Sequence, residues 1–376
     1  MIIKKYSFCI FVIIALGLFS FYTSAQNPDY FDEQIKASGA EELIDSLNKE
    51  QKNLLNKLGI DDFDYESFLS ASPHKVFDLL FEVVSGNYQG ALKVSFTVAA
   101  IIIAISIASQ FISHDAKILK IVTAFGVLCV ALNVILPLSS YITRVISAIR
   151  LSSDFMLVLI PVLVAVLSVS GNPVLALSYN SLCFAAAQGV TQIADKFIRP
   201  LIQIILSLSI ITSVNESMHF EKLILFIKKF AMFLISAVAT IFITLLSVKG
   251  MLANSADGVA VRGIRFLIGN IIPVIGGAVS DAYLSIIGTM SIVKNTVAVF
   301  AVAVIAVTNL PVLAECICWV LALNLLEVLA DIFSLKGISV MLASCASAVS
   351  LLGVLLLLIT LTFVLSIGLL MVIKGV

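Results

Sequence analysis

Residues 351–370 read LLGVLLLLITLTFVLSIGLL, a run of twenty residues without a charged side chain. Crossing about 30 Å of hydrocarbon takes about 20 apolar residues, because each helical residue rises about 1.5 Å. A helix of a soluble protein of this size needs a polar face at the helical period, and this run has almost none. The stretch therefore predicts a membrane-spanning helix and excludes a bundle of hydrophobic soluble helices.

Apolar runs of similar length recur from residue 90 onward, separated by short polar breaks. Of the 376 residues, 60% are hydrophobic and 12% are charged, against about 45–50% and about 25% in average soluble domains. We expect an all-α, polytopic transmembrane helix bundle of about eight spans, give or take two. The expected spans and longer tracts are residues 90–112, 121–141, 155–170, 174–190, 230–248, 264–290, 297–314, 312–332 and 339–373.

The N-terminus has the pattern of a secretory signal peptide over residues 1–25. Lys4 and Lys5 form a positive segment, and an apolar segment follows at residues 9–21. Small residues at Thr23 and Ala25 then suit cleavage before Gln26. The alternative is an uncleaved anchor helix.

The segment from residue 26 to residue 88 carries thirteen acids and five bases, a net charge of −8, whereas residues 89–376 carry +6. Lys and Arg hold short loops on the cytoplasmic side, and acids do so far less. We therefore expect a small acidic, helical extracytoplasmic domain at residues 26–88, followed by the polytopic domain at residues 89–376. Ser38 with Glu41, and Asn48 with Gln51, have capping-box spacing.

A first candidate functional element lies at Pro273, Gly276, Gly277 and Asp281, within an apolar tract. Proline and paired glycines there are typical of a broken helix. Freed backbone groups at membrane depth must be buried in protein or line a water-filled cavity, and transporters build midplane sites from such breaks. The alternative is a loop at the bilayer surface.

A second candidate set is Asn324, Glu327 and Asp331, whose spacing of three and four places them on one helical face. The two carboxylates could share a proton, form a relay, or pair with an arginine from another helix. Because they lie near a helix end, they could also simply reach water. Glu315, just after Pro311, is a third and weaker candidate.

No enzyme signature is present in the sequence, which lacks the P-loop pattern G-x-x-x-x-G-K-[ST], H-E-x-x-H and G-x-S-x-G. Cys316-x-Cys318 lacks the spacing and histidine partners of a zinc site, and we expect these thiols to be buried packing residues. We expect no catalytic, cofactor-binding or metal-binding residues, although an intramembrane protease with other motifs stays formally open.

Two groups of residues resemble the stage III sporulation protein AE family of endospore-forming bacteria. They are the stretches at residues 35–43 and 58–67 near the N-terminus, and the tract at residues 262–282, above all Gly269-Asn270-Ile271-Ile272-Pro273-Val274-Ile275-Gly276-Gly277 and Ser280-Asp281-Ala282. The resemblance extends over nearly the whole chain. Its motifs are moderately specific, since none is a catalytic signature.

The resemblance implies a permease-like membrane component of the channel complex between mother cell and forespore, required for late forespore gene expression. Its implied location is the mother-cell-derived membrane around the forespore. The implied partners are other stage III sporulation membrane proteins, including ring-forming components and a secretion-type ATPase, with no nucleic acid. The alternative is an autonomous secondary transporter that uses the intramembrane acids Asp281, Glu327 and Asp331.

Overall fold

The computed structural model describes residues 35–36, 38–58, 60, 73–111, 116–214, 220–271 and 276–372. Within them every regular element is helical, which confirms the all-α prediction. The helices are α1 (Glu41–Asp45), α2 (Lys49–Leu58), α3 (Pro73–Phe111), α4 (Ala116–Val169), α5 (Pro173–Ile193), a π-helical turn (Ala194–Ile198), α6 (Arg199–Val214), α7 (Glu221–Ile271), α8 (Gly276–Ile332) and α9 (Lys336–Val372). The expected signal peptide lies outside the described residues.

Helix α2 begins with the predicted capping box. The Asn48 backbone N–H donates to Gln51 Oε1 at 3.0 Å, and the Gln51 N–H donates to Asn48 Oδ1 at 2.7 Å. The equivalent prediction at Ser38 is wrong, because its hydroxyl donates to the Ile35 carbonyl at 2.7 Å and α1 starts after Ala40, which has no side-chain cap. The N-terminal helices pack on the long ones: α1 against α4, and α2 against α3 and α8.

Six helical stretches of the described residues are long and apolar enough to cross a membrane, within the expected range of span numbers. They are Gly90–Phe111, Ile118–Val169, Pro173–Val214, Glu221–Val248, Met290–Ile332 and Lys336–Leu369. Helix α3 starts at Pro73, as its proline favours, and continues without interruption into the first stretch. It thus runs across residues 88 and 89, where the domain boundary was expected.

Several expected breaks between spans are absent, because helices continue through prolines and charged residues. The spans expected at 121–141 and 155–170 are one helix, α4, with Pro137 and Pro161 inside it. The spans expected at 297–314 and 312–332 likewise join in α8 through Pro311. A proline removes one backbone hydrogen bond, and packing against neighbouring helices outweighs that loss here.

The long helices exceed the thickness of one bilayer. With 54 residues at about 1.5 Å each, α4 is about 81 Å long, against a hydrocarbon core of about 30 Å. Tilt alone does not absorb such a difference. Part of α4, and part of α8 with its 57 residues, therefore extends beyond a single hydrocarbon layer.

The break expected between the spans at 155–170 and 174–190 is confirmed and lies at Gly171-Asn172-Pro173. Gly171 has a φ of +81°, which glycine adopts without steric cost, and α5 starts at Pro173. At the other predicted break, α7 ends at Ile271 and α8 begins at Gly276.

Helices α8 and α9 form the centre of the bundle and pack extensively on each other. Their candidate spans are the most buried, while α4, α5 and α7 expose more of their surface. Lys228 on α7 donates to Ser347 Oγ on α9 at 3.0 Å. The α8–α9 turn has Ser334 at φ +59°, with the Leu335 N–H donating to the Ala330 carbonyl at 3.0 Å, a Schellman-type helix end.

Candidate functional site: a polar seam between α4 and α8

A line of polar contacts joins α4 to α8. We call it the polar seam and define it by the residues Tyr141, Arg144, Ser152, Thr308, Asn309, Glu315 and Trp319, together with Gln51 of α2. Tyr141 and Arg144 on α4 are three residues apart, and Glu315 and Trp319 on α8 are four apart, so each pair shares one face of its helix.

The ion pair between Arg144 and Glu315 is at the centre of the seam. Arg144 Nε donates to Glu315 Oε2 at 3.0 Å, and its terminal NH2 group donates to Oε1. The guanidinium therefore binds both carboxylate oxygens. Such bidentate pairs fix geometry as well as contributing energy. The Glu315 side chain is 9% exposed and that of Arg144 is 49% exposed. The carboxylate therefore needs the ion pair to compensate for its burial, whereas the guanidinium also reaches solvent or lipid head groups.

Two aromatic side chains complete the surroundings of this pair. Trp319, one turn after Glu315 on α8, donates from Nε1 to Glu315 Oε1 at 3.2 Å. Tyr141, one turn before Arg144 on α4, lies 3.5 Å from the Val312 carbonyl oxygen through its hydroxyl. Both rings are buried. Glu315 therefore accepts hydrogen bonds from two helices, as a carboxylate inside an apolar bundle requires.

One end of the seam is a reciprocal hydrogen-bond pair between α4 and α8. The Asn309 amide nitrogen donates to Ser152 Oγ at 3.0 Å, and the Ser152 hydroxyl donates to Asn309 Oδ1 at 3.2 Å. Both residues are buried. Because Ser152 pairs with Asn309 while Arg144 pairs with Glu315, the two helices run antiparallel along the seam.

Gln51 connects the N-terminal helices to the seam. Its Nε2 donates to Thr308 Oγ1 at 2.8 Å, while its Oε1 is held by the capping box at the start of α2. Gln51 is 5% exposed. The cap thus orients the amide so that its nitrogen points at α8.

A second charged cluster joins α4 to the π-helical turn. Arg150 of α4 binds Asp195 in the π-helical turn, and Arg199 lies 3.6 Å from the other oxygen of Asp195. The same turn carries Lys196. The charged clusters thus sit within the candidate spans of α4, α8 and the α5–α6 helix.

The predicted candidate residues lie elsewhere. Asn324 and Asp331 are exposed and Glu327 is half-buried, next to the exposed apolar stripe of Leu321, Leu325, Val328 and Ile332. Gly276, Gly277 and Asp281 are in the first two turns of α8, and Pro273 lies outside the described residues. The structure does not bring the second set into the seam.

Sequence reasoning ranked Glu315 low and did not single out its partners. The spacing of Tyr141 to Arg144 and of Glu315 to Trp319 was a usable signal, because each pair shares a helix face. Lys294, buried at 1% exposure in α8, was also not predicted. Cys316 is buried, as expected, with its thiol 3.5 Å from the Val349 carbonyl.

Two cavities in the described part of the chain lack an acidic lining. One of about 220 Å³ is apolar and lies between α5, α7 and α9. The other, of about 330 Å³, lies at one end of the bundle and is lined by Lys120, Lys336 and neighbours from α4, α6 and the α8–α9 turn. Neither cavity brings carboxylates together for proton or cation transfer.

Comparison with known proteins gives a consistent result. The family model described as stage III sporulation protein AE matches residues 56–374. The stage III sporulation protein AE of Bacillus subtilis (strain 168) is 31% identical over 175 residues, which are 46% of this chain and 44% of that protein. The alignment thus spans less than half the length of that relative. No solved structure shows significant similarity. Because the family match covers most of the chain, this protein belongs to the stage III sporulation protein AE family.

Proposed function

We propose that this sporulation protein is a permease-like membrane component of the channel complex that joins mother cell and forespore, and that it works only within that assembly. Family membership supports a role in sporulation, and six candidate spans support a membrane location. The proposed location is the mother-cell-derived membrane around the forespore. The proposed partners are ring-forming sporulation proteins and a secretion-type ATPase, since the sequence has no P-loop of its own.

The observation that carries this proposal is the docking of α2 on the bundle. Gln51, Leu55 and Leu58 are buried, whereas Glu50, Asn53 and Lys57 are exposed at helical spacing on the opposite side. A short helix held on a membrane bundle, with an exposed polar face, is suited to contact another protein. In this proposal the segment from residue 26 lies outside the cytoplasm, and the lysines Lys117 and Lys120 after α3 lie inside.

The test is isolation of the tagged full-length chain from sporulating cells in mild detergent. The proposal expects ring-forming partners and the ATPase to co-elute. Isolation of the chain alone, from a lysate in which those partners still co-purify with one another, contradicts it.

The second candidate function is an autonomous secondary transporter. Two observations favour a transporter: the end of α7 at Ile271 with the start of α8 at Gly276, and the buried Lys294. The exposure of Asn324 and Asp331 weighs against a transporter. The variants Asp281→Asn, Glu327→Gln and Asp331→Asn should abolish solute flux and sporulation if the acids form a transport site. Normal spore yield from all three excludes that mechanism.

A further inference from the structure

We propose that the apolar groove between α5, α7 and α9 binds one acyl chain of an anionic phospholipid, whose head group lies at the cationic end of the groove. The proposal does not depend on the channel role, because it rests on the lining, the openings and the charges of this groove alone.

The lining of the groove fits a hydrocarbon chain. It consists of aliphatic residues and Phe242, with Thr362 as the polar exception, and the Thr362 hydroxyl already donates to the Leu358 carbonyl at 2.7 Å. The cavity measures about 220 Å³, and an apolar cavity of about 150 Å³ accommodates benzene. Among the lining side chains only the Thr362 oxygen is left to accept a hydrogen bond, so the lining suits an alkyl segment better than a polar solute.

The groove is elongated and opens to the outer surface of the bundle. Its lining runs from Leu182 to Ile193 along α5 and from Ile235 to Leu245 along α7, which is about 15 Å at 1.5 Å per residue. Ala185, Ile241 and Leu245 are exposed. All three helices belong to candidate membrane spans, where the surrounding solvent is lipid, so acyl chains have direct access.

The helix directions show which ends of the three lining segments lie together. The α5–α6 helix ends at Val214 and α7 starts at Glu221; because α7 packs on both α5 and α6, it runs antiparallel to them. The contact of Lys228 with Ser347 precedes the lining on both α7 and α9, so these two helices run parallel. The ends of the lining at Ile193, Ile235 and Leu355 therefore coincide.

Cations cluster at that end. Lys196 lies one turn beyond Ile193, and Lys228 and Lys229 lie about two turns before Ile235. Lys196 and Lys229 are exposed, and Asp195, at the same level, is bound by Arg150 and Arg199. The end of the groove is thus net positive, which is complementary to a phosphate head group.

Charge rather than burial selects the occupant. An acyl chain that moves from the bilayer into the groove gains little hydrophobic free energy, since lipid tails are as apolar as leucine. Basic residues near the membrane surface attract anionic lipids. We therefore expect the groove to prefer an anionic phospholipid over a zwitterionic one with identical chains.

A larger side chain at Gly189 would fill the groove without a steric clash. It lines the cavity, and an added Cβ at this position has nothing within 4 Å, as is also true at the exposed Gly90 on α3. Gly189→Leu therefore occupies the space of the ligand without a clash, and Gly90→Leu is its matched control. Ala239→Leu is a second filling variant, and Lys196→Gln with Lys229→Gln removes the charges of the two exposed lysines.

The experiment measures retained lipid by native mass spectrometry. The purified full-length protein is equilibrated with equimolar phosphatidylglycerol and phosphatidylcholine of identical chains, and circular dichroism verifies the fold of each variant. We expect the wild type and Gly90→Leu to prefer phosphatidylglycerol by about fivefold or more for each lysine that reaches the head group. Both filling variants should lose this bound lipid, and the lysine double variant should prefer phosphatidylglycerol less than the wild type does, because Lys228 and the two arginines remain.

Two results would overturn the proposal. One is retention of phosphatidylglycerol by folded Gly189→Leu at the wild-type level, which would place the lipid elsewhere on the bundle. The other is equal retention of the two lipids by the wild type, which would remove the role of the cationic end.

Discussion

The side-chain amide of Gln51 donates to the hydroxyl of Thr308 at 2.8 Å, across a sequence separation of 257 residues. The same side chain closes the capping box of α2 through its oxygen. One residue therefore both starts the second helix and attaches it to the central helix of the bundle. The helical N-terminal segment is anchored by a directional contact in addition to its apolar residues.

We expect a double-mutant cycle to detect this contact. Gln51→Ala, Thr308→Val and their combination should give a coupling free energy of about 0.5–1.5 kcal/mol, the net contribution of a typical intramolecular hydrogen bond. Thermal unfolding in mild detergent measures it. Gln51→Ala alone should cost more than Thr308→Val, because it also removes the cap. Strict additivity of the two single variants would show that the contact does not form.

The two members of the central ion pair should differ in their effect on stability. Arg144→Gln leaves a nearly buried carboxylate without its main partner and should destabilise the protein by about 2–3 kcal/mol. Glu315→Gln leaves an arginine that is 49% exposed and can reach water or lipid head groups, so its cost should be smaller. Trp319 is the only tryptophan of the chain, and its fluorescence reports the local change directly. Equal costs for both variants would contradict the geometry.

Gly337 should not tolerate a side chain. A Cβ there would lie 2.7 Å from the Ser213 carbonyl oxygen, a backbone atom that cannot rotate away. Gly337→Ala should therefore destabilise the junction of α6 and α9 by about 1–3 kcal/mol. The control Gly90→Ala has open space and should be neutral or slightly stabilising, because alanine is the better helix former. A stable Gly337→Ala variant would refute this helix contact.

We expect replacement of Ser334 by glycine to stabilise the protein. Its φ of +59° lies in the left-handed region, which glycine adopts without the steric cost that a Cβ brings. Ser334→Gly should raise the free energy of unfolding by about 0.5–1 kcal/mol. Ser344→Gly, in the interior of α9, is the contrasting control and should be destabilising. Loss of stability in Ser334→Gly would mean that the hydroxyl has a role beyond the turn.

The sequence allowed the class of fold to be predicted, because it depends on composition and run length alone. Residues 351–370 have the length and composition of a membrane span, and Gly171 with Pro173 marks a helix end. The breaks expected between residues 141 and 155 and near residue 312 are absent, because a local rule about proline or charge takes no account of packing against a neighbouring helix. The pairing of Arg144 with Glu315 joins positions 171 residues apart, and no periodicity within one helix identifies a partner on another.

The candidate acids also show what helical spacing cannot predict. Glu327 and Asp331 share a helical face, as their spacing predicts, but the spacing does not say whether that face points inward. The structure turns Asp331 outward and keeps Glu315 inward, because the packing of α8 against α4 and α9 decides the orientation of the helix.

The central claim is that α2 is held on the bundle and presents its outer face to another protein of the sporulation channel. A photo-cross-linking amino acid at the exposed Asn53, compared with one at Leu55, which is 2% exposed, tests it in sporulating cells. We predict that position 53 captures a second protein of the channel complex, whereas position 55 yields adducts within the chain alone. The absence of any intermolecular adduct at position 53, with the protein present at its normal level, would contradict the claim.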